Sequence, residues 1–350
     1  MTRTERLRMV LATPLPEELC RLVERTEPRV ELVRDHTLLP PMRQPGDHTG
    51  DPAWRRTPEQ QSRFDRLVDS ADALYGIPDV SSSALARTVA ANPRLRWVQT
   101  MAAGGAASVA AADLSADALE RVTFTTSAGV HAGTLAEFAL FGVLAGAKSL
   151  PRLVTQQRAH EWPGRWFMGQ VREQTVLVVG LGAIGRETAR LLTAVGARVL
   201  GANRSPVAVD GVERVVGLDR LADVAAEADA VVVTLPGAPS TVGLVDAAVL
   251  AALCPGATVV NVGRGSVIDE DSLVAALRDG AVGCAVLDVT SVEPLPDGSP
   301  LWDLPNVLIS PHTAALSVQE DRRIAELTAD NARRLLDGEP LRNVVRPDDL

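Results

Sequence analysis

Three glycines in a strand–helix–strand setting constrain this chain more than any other feature. Gly180, Gly182 and Gly185 have the spacing G-x-G-x-x-G and follow an apolar run, residues 176–179, that is short enough to be a buried strand. A helical pattern comes next, and a second strand is predicted over residues 198–202. In this setting the first glycine allows a tight turn, the second lets a pyrophosphate approach the backbone, and the third lets helix and strand pack closely. The helix N-terminus adds free N–H groups, so the unit predicts a dinucleotide site.

The residues after that second strand bear on which dinucleotide is bound. Asn203, Arg204 and Ser205 stand there, with no acidic residue among them. A carboxylate in this place usually accepts the ribose 2′-hydroxyl of NAD and would repel a 2′-phosphate. A guanidinium forks onto a phosphate, and a hydroxyl adds a donor. The triplet therefore favours NADP(H) over NAD(H); the alternative is that Arg204 is an ordinary solvated loop arginine.

Length, charge and cysteine content narrow the function classes. The 350 residues suffice for two domains with full cores, and the net charge of −9 argues against a nucleic-acid surface, which needs clustered positive charge. Cys20, Cys254 and Cys284 are far apart and form neither a disulfide framework nor a metal pattern, so we expect a reducing cytoplasm and no metal. The longest apolar stretch, residues 138–147, is too short to span a bilayer and predicts a buried helix, and the N-terminus does not resemble a signal peptide.

Strands and helices alternate along most of the chain, which predicts parallel sheets with helices on both faces. The predicted strands outside the glycine unit cover residues 7–11, 30–33, 73–77, 95–101, 122–125, 230–235, 258–262, 283–289 and 307–310. The predicted helices outside it cover residues 16–25, 82–90, 133–150, 247–253, 270–277 and 318–336. Residues 35–62 are rich in Pro, Gly, Asp, Arg and Gln and show no periodicity, so they predict a loop or an insertion.

Three side chains that follow predicted strands could act together on a carbonyl. Arg264, Glu293 and His312 come after three successive strands, and ligands of open α/β sheets bind at the carboxyl ends of strands. A cation can orient a carboxylate and polarise a carbonyl, and a histidine beside a carboxylate is held in one tautomer that favours proton donation. Singly, each has a structural alternative: a turn cap, a solvated acid and a structural histidine. Their order downstream of a dinucleotide motif favours hydride transfer to a carbonyl.

The chain resembles the D-isomer-specific 2-hydroxyacid dehydrogenase family, of the glyoxylate and hydroxypyruvate reductase type, over nearly its whole length. Four segments carry this resemblance. They are residues 180–185, 261–265 and 288–296 and the pair Pro311-His312. The resemblance implies an α/β fold with two domains and the active site in the cleft between them. A Rossmann-type cofactor domain would cover residues 129–310. A smaller flavodoxin-like α/β substrate domain would comprise residues 1–128 and 311–350.

The resemblance also implies roles for single residues. Arg264 would grip the substrate carboxylate and carbonyl, His312 would be the acid–base, and Glu293 would orient and tune His312. Ala103 and Gly104 would give N–H groups to the same carboxylate. Asp288 would meet the nicotinamide carboxamide, Thr134 would lie near the nicotinamide ring, and Leu235 and Pro236 would line the adenosine. The predicted cofactor contacts are, in full, Gly180, Gly182, Ala183, Ile184, Gly185, Asn203, Arg204, Ser205, Leu235, Pro236, Val262, Gly263, Asp288 and Thr134.

The expected function is an oxidoreductase that transfers a hydride between NADP(H) and a small 2-oxo acid or D-2-hydroxy acid, without nucleic-acid or membrane partners. The resemblance implies a homodimer joined through the cofactor domains, with residues 162–166 as a candidate contact; the alternative is that the two tryptophans of this segment pack within one subunit. Two departures from the family pattern, Gly105-Ala106 and Thr290, leave the side chain of the acid open. The alternatives are a dehydrogenase of another small anion, such as formate, phosphite or phosphoglycerate, and an NAD(P)-sensing binding protein like the family's corepressors.

Overall fold

The computed structural model describes residues 6–346, in which twelve strands and twelve α-helices are defined. The strands are β1 (Leu7–Leu11), β2 (Val30–Val33), β3 (Ala73–Tyr75), β4 (Trp97–Gln99), β5 (Thr123–Thr125), β6 (Thr175–Val179), β7 (Arg198–Ala202), β8 (Arg214–Val216), β9 (Ala230–Val233), β10 (Ala257–Asn261), β11 (Val282–Leu287) and β12 (Val307–Ile309). The helices are α1 (Glu17–Thr26), α2 (Pro58–Val68), α3 (Ser82–Ala91), α4 (Ala106–Ala110), α5 (Ala116–Arg121), α6 (Ala132–Ala147), α7 (Leu150–Arg158), α8 (Ala183–Ala194), α9 (Leu221–Ala225), α10 (Ala247–Ala252), α11 (Glu270–Asp279) and α12 (Glu320–Asp337).

The chain divides into two compact units. Unit 1 comprises the residues up to Val130 and those from Ser317 onward, and unit 2 comprises His131–Leu316. The second division therefore lies after Leu316 and not after residue 310, where the sequence placed it. The reason is local: the backbone N–H groups of Thr313 and Ala314 donate to the side chain of Asp288, so this segment stays with unit 2.

Unit 1 contains a five-stranded parallel sheet in the order β2-β1-β3-β4-β5. This is the flavodoxin-like order, in which the chain reverses its direction of strand addition between β1 and β3. Every residue of β3 and β4 is buried, as expected for central strands of a parallel sheet covered on both faces. Helix α12 packs against α1, so the C-terminal helix completes the core of this unit.

Unit 2 contains a seven-stranded parallel sheet in the order β12-β11-β10-β9-β6-β7-β8. The first strand of the glycine unit, β6, pairs with β7 on one side and with β9 on the other, which is the doubly wound Rossmann arrangement. Its central strands are valine-rich and almost wholly buried. The predicted α/β class, with a Rossmann-type sheet and a smaller flavodoxin-like sheet, is confirmed.

Local periodicity missed several short elements. Helix α2 begins inside the stretch that was predicted to be a loop, because Thr57 and Gln60 form a reciprocal capping box and Pro58 occupies the first turn. The helix predicted over residues 133–150 ends at Ala147, and α7 starts separately after Ser149, whose φ is +50°. Helices α4, α5 and α9 and strand β8 were also not predicted; each is at most six residues long.

The apolar helix α6 belongs to the core of unit 2. Its residues Leu135, Ala139, Val143 and Ala147 are buried, as the sequence predicted for the apolar stretch. Among the described residues no single helix has the length and apolar composition needed to cross a membrane. Helices α6 and α7 have that length and composition only when taken together, and the angle between them is 65°.

Candidate active site

A histidine and a carboxylate are in direct contact at the carboxyl edge of the unit 2 sheet. His312 Nδ1 and Glu293 Oε2 are 2.7 Å apart, and the other oxygen of Glu293 accepts a hydrogen bond from the backbone N–H of Thr290 at 3.2 Å. Because an ionised carboxylate only accepts hydrogen bonds, Nδ1 carries the proton in this pair. The second ring nitrogen, Nε2, is then the atom through which His312 can exchange a proton with a bound molecule.

Two loops hold this pair: the acid loop (residues 288–296), which follows β11, and the histidine loop (residues 310–316), which follows β12. Asp288 links them. Its side chain is buried, and Oδ1 accepts hydrogen bonds from Ser310 Oγ at 2.7 Å and from the N–H groups of Thr313 and Ala314 at 3.0 Å each. Asp288 was predicted as a contact of the cofactor; in the structure one of its oxygens is committed to the histidine loop.

Arg264 lies in a turn that follows β10. Asn261, the last residue of that strand, shapes the turn: its Nδ2 donates to the carbonyl of Arg264 at 3.1 Å, and its Oδ1 accepts from the N–H of Gly263 at 3.0 Å. The guanidinium is exposed and donates one hydrogen bond, to the carbonyl of Gly263 at 2.8 Å. Its remaining N–H groups are free of partners in the described part of the chain and can bind an anion.

The three predicted residues are thus arranged along one edge, but only two of them touch. Strands β10, β11 and β12 are neighbours and parallel, so Arg264, Glu293 and His312 all follow carboxyl ends at the same edge. The arginine turn (residues 261–265) is in close contact with the acid loop, because a Cβ on Gly265 would overlap the backbone of Thr290. This close approach requires glycine, and it fixes the turn that carries Arg264 against the loop that carries Glu293.

The glycine turn after β6 lies at the same edge and is shaped as the motif predicts. Gly180 has a φ of +97°, and a Cβ on Gly185 would overlap the carbonyl oxygen of Gly180, so the turn and the helix approach too closely for a side chain. A Cβ on Gly182 would meet nothing within 4 Å, which leaves space beside the backbone. Ala183 and Ile184 begin α8 directly after Gly182, and the first N–H groups of a helix have no partner within it.

The segments predicted to surround a dinucleotide follow neighbouring strands. Asn203 follows β7, accepting at Oδ1 from the N–H of Leu181 at 3.4 Å and donating to the carbonyl of Ser205 at 3.1 Å. Arg204 is exposed and forms no hydrogen bond or ion pair with any of residues 6–346. The pairs Leu235-Pro236, after β9, and Val262-Gly263, after β10, adjoin each other, since a Cβ on Gly263 would overlap the backbone of Leu235.

The remaining predicted residues are Thr134, Ala103 and Gly104. The hydroxyl of Thr134 lies 3.3 Å from the carbonyl of Ala315, so it ties the start of α6 to the histidine loop. Ala103 and Gly104 form an exposed turn after β4 in unit 1. Their backbone N–H groups donate to no residue among those the structure describes, which leaves two donors available to an anion.

Among the described residues, one group of side chains, in unit 1, has donor atoms spaced as metal ligands. Glu17, Cys20 and His36 each place a donor within 4.8 Å of the others. Arg34 and Arg21 already bind the carboxylate of Glu17 at 2.9 and 3.0 Å, and Arg34 holds the pKa of that carboxyl well below its usual range. Burial raises the pKa of Cys20 to about 12, so its thiol stays protonated near neutral pH. Since two arginines already pair with its carboxylate, this group forms an ion-pair cluster in the structure.

Sequence reasoning did not single out Ser310 or assign a role to Thr290, although both hold the candidate pair. Ser310 bonds to Asp288 across 22 positions of the chain, and Thr290 bonds to Glu293 through its backbone. The only local signal for Ser310 is its place two residues ahead of His312.

Comparison with known proteins relates this architecture to a family. A family model described as "D-isomer specific 2-hydroxyacid dehydrogenase, NAD binding domain" matches residues 140–314, half of the chain. Glyoxylate/hydroxypyruvate reductase B of Pectobacterium atrosepticum is 33% identical over 265 residues, which cover 73% of this chain and 80% of that protein. D-3-phosphoglycerate dehydrogenase of Mycobacterium leprae is 33% identical over 282 residues, which cover 80% of this chain; the chain spans about half, 52%, of that relative's length.

Solved structures agree over nearly the full length. A D-isomer specific 2-hydroxyacid dehydrogenase from Xanthobacter autotrophicus Py2, crystallised with NADPH and MES, has a TM-score of 0.75 and 32% identity and covers 98% of this chain and 99% of its own. A probable 2-hydroxyacid dehydrogenase from Rhizobium etli, crystallised with NADP, HEPES and tartaric acid, has a TM-score of 0.70 and 25% identity, with 97% and 98% covered.

Proposed function

Because the chain belongs to the D-isomer-specific 2-hydroxyacid dehydrogenase family, we propose that it is an oxidoreductase acting on a small acid. It transfers a hydride between NADP(H) and a 2-oxo acid or the corresponding D-2-hydroxy acid, of the glyoxylate or hydroxypyruvate type. One observation carries the proposal: the 2.7 Å contact between His312 Nδ1 and Glu293 Oε2, at the sheet edge that also bears Arg264 and the glycine turn.

His312 moves the proton of the reaction. In the reductive direction its Nε2 donates a proton to the carbonyl oxygen as the carbonyl carbon is reduced, and in the oxidative direction the same nitrogen accepts the hydroxyl proton. The carboxylate of Glu293 stabilises the doubly protonated ring and keeps its Nδ1 side turned away from the substrate. Glu293 is itself held by the N–H of Thr290, so both the tautomer and the orientation of the ring are set by the acid loop.

Arg264 binds the substrate carboxylate and polarises the carbonyl beside it. Its guanidinium is exposed and keeps several N–H groups free, which suits a forked contact with a carboxylate. This contact explains selection of a 2-oxo acid; the rest of the substrate is not specified by it.

The glycine turn fits a dinucleotide. The open space beside Gly182 and the first N–H groups of α8 suit a pyrophosphate, and Leu235, Pro236, Val262 and Gly263 provide a wall for the adenosine and nicotinamide halves. When bound, the reduced nicotinamide supplies the hydride. The histidine loop contacts Oδ1 of Asp288, so Oδ2 would be available to accept a hydrogen bond from the carboxamide. The hydroxyl of Thr134 donates to Ala315, so its lone pairs would be available to the cofactor.

NADP(H) is preferred over NAD(H) because Arg204, which has no partner among residues 6–346, is a charged side chain where a 2′-phosphate would lie. The variant Arg204→Asp tests this: the ratio of kcat/KM for NADPH to that for NADH should fall by at least about 10-fold, the effect of losing one charge-assisted contact. Arg278→Asp, which makes the same charge change in the last turn of α11, is the control and should leave the ratio unchanged. An unchanged ratio for Arg204→Asp would place the 2′-phosphate elsewhere.

The activity itself is tested with the purified full chain, NADPH or NADH, and a panel containing glyoxylate, hydroxypyruvate, pyruvate and phosphohydroxypyruvate. Turnover of at least one acid is expected, with the D-isomer as product wherever the product is chiral, which excludes the product of glyoxylate. His312→Ala should lower kcat by about 10²–10⁴, the usual contribution of a positioned acid–base group. His160→Ala, which removes an exposed imidazole of the same unit, should not. Absence of turnover with every acid would contradict the proposal.

The protein acts as a homodimer joined through unit 2. Several large apolar side chains of α6, α7 and the following segment are exposed, with Trp162 and Phe167 fully exposed. Exposed apolar groups of this kind are typical of an interface. Sedimentation should give a dimer, and the double variant Trp162→Ser, Phe167→Ser should dissociate more readily. A wild-type monomer at all accessible concentrations would contradict the dimer.

The three cysteines, all free thiols in the structure, suit a reducing compartment, and we place the enzyme in the cytoplasm on that basis.

A further inference from the structure

The backbone of His312 adopts a conformation that needs support. Its φ is +52°, in the left-handed region that non-glycine residues rarely occupy and that persists only where neighbouring groups hold it. The N–H of His312 lies 2.9 Å from the carbonyl oxygens of both Asp288 and Ser310. Those contacts fix the peptide on the N-terminal side of the histidine, but they do not restrain the residues that follow it.

The side chain of Asp288 supplies the restraint on both sides. It is 2% exposed, and its Oδ1 receives three donors: Ser310 Oγ two residues before His312, and the N–H groups of Thr313 and Ala314 directly after it. Hydrogen bonds to a buried carboxylate are short and strong because the surroundings screen the charge poorly. One oxygen atom therefore closes the histidine loop around His312.

We infer that Asp288 and Ser310 are positioning residues for His312: they hold the histidine loop closed, so that the ring stays on Glu293 with Nε2 directed to the substrate. The inference rests on the proposed function for its consequence in catalysis. Ser310 is the sharper probe, because Asp288 is also proposed to contact the cofactor, whereas the hydroxyl of Ser310 contacts only Asp288 among the described residues.

The geometry predicts a loss in rate without a loss in binding. Without the hydroxyl, Asp288 Oδ1 loses its shortest hydrogen bond, and the segment before His312 is held only through backbone contacts. A misplacement of about 1 Å of a reacting group can cost about 100-fold in rate. Ser310→Ala should therefore lower kcat by about 10- to 100-fold and change the KM for NADPH by less than about 3-fold. Ser310→Thr keeps the hydroxyl and should restore most of kcat.

The experiment compares wild type, Ser310→Ala, Ser310→Thr and the control Ser299→Ala. The control removes a hydroxyl that, within the described part of the chain, accepts a hydrogen bond only from the backbone N–H of Leu301. Steady-state kinetics with NADPH and the best 2-oxo acid give kcat and KM. Hydrogen–deuterium exchange of the peptide containing Thr313 and Ala314 reports the closure of the loop independently of activity. In Ser310→Ala these amides should exchange faster, while exchange in Ser299→Ala stays at the wild-type rate.

The outcomes separate the two proposals. If wild type reduces no acid, the proposed function fails, whereas exchange of the Thr313 and Ala314 amides still tests whether Ser310 and Asp288 hold the histidine loop closed. If wild type is active and Ser310→Ala keeps its kcat and its exchange rate, the positioning role is wrong. It is also wrong if Ser310→Thr does not recover activity. Should Ser310→Ala not fold, Asp288→Asn takes its place: unchanged exchange at Thr313 and Ala314 in that variant would overturn the inference.

Discussion

Replacing Glu293 by glutamine tests the proposed acid–base pair with the smallest change in shape. The carboxylate uses its two oxygens differently: Oε2 faces His312 Nδ1 at 2.7 Å, and Oε1 accepts from the N–H of Thr290 at 3.2 Å. Glutamine offers one acceptor and one donor group in the same space. If its oxygen faces His312, its NH₂ opposes the N–H of Thr290. If its oxygen faces Thr290, its NH₂ donates to Nδ1 and disfavours the protonated ring.

The magnitude follows from these two contacts. A hydrogen bond to a charged group contributes about 1.5–3 kcal/mol and a neutral one about 0.5–1.5 kcal/mol, so loss of the charge costs about 1 kcal/mol. The side chains of His312 and Glu293 are 45% and 37% exposed, which keeps this contribution at the lower end. The opposed donors add on the order of 1–2 kcal/mol. A total of about 2–3 kcal/mol corresponds to a fall in kcat of about 30- to 150-fold.

The assay is steady-state reduction of the best 2-oxo acid by NADPH for Glu293→Gln, wild type and Glu173→Gln. Glu173 is an exposed glutamate of the same unit, outside the acid loop and the histidine loop, and its variant should match wild type. The loss should be confined to kcat, because the hydrogen bonds of Glu293 among the described residues go to Thr290 and His312 and not to the glycine turn or Arg264. A kcat for Glu293→Gln within a factor of about two of wild type, in a folded protein, would refute the assigned role of the carboxylate.

Three further outcomes are expected. Arg264→Lys should raise the KM for the acid and lower kcat, about 10-fold or more together in kcat/KM, because an ammonium cannot fork onto a carboxylate; an unchanged KM would contradict its role. Asp47, whose pKa lies below its usual range because Arg43 binds it, stabilises the fold above about pH 4 and loses this effect as the pH falls through the lowered pKa. In urea denaturation Asp47→Asn should therefore lose about 1–3 kcal/mol at neutral pH and converge on wild type in acid. Burial raises the pKa of Cys284 to about 11, and Cys20 is likewise buried, so a thiol reagent at neutral pH should modify only the half-buried Cys254 before unfolding and all three cysteines after it.

The central strands were predictable because each is a continuous apolar run between turn residues. Predicted and observed bounds agree for β7 (residues 198–202) and differ by one residue for β10. Valine-rich stretches of this length are typical of strands in a parallel sheet that is covered on both faces. The capped helix α2 was missed because its first turn is polar, and its helical start depends on side-chain contacts of Thr57 that composition alone does not reveal.

The placement of the candidate residues could be predicted from the sequence, but the contacts that hold them could not. Arg264, Glu293 and His312 each follow a strand, so their order along the chain is enough to place them at one edge. The hydrogen bonds that fix them join positions far apart, such as Ser310 with Asp288, and no local pattern encodes such pairs. The contact between Gly265 and Thr290 is of the same kind, since it depends on how two loops approach in space.

The order of the strands explains why these residues can cooperate although helices separate them in the sequence. Neighbouring strands of a sheet lie about 4.8 Å apart, so the loops after β10, β11 and β12 start side by side, whatever the length of the connections on the far edge. An insertion in α11 or its neighbouring turns would lengthen the chain between Arg264 and Glu293 without moving either loop from its strand. A change in the packing of Gly265 against Thr290 would instead shift the arginine turn relative to the acid loop, and the shift would pass to His312 through Glu293. The proposed chemistry therefore depends on contacts between adjacent loops more than on the spacing of the motifs along the chain.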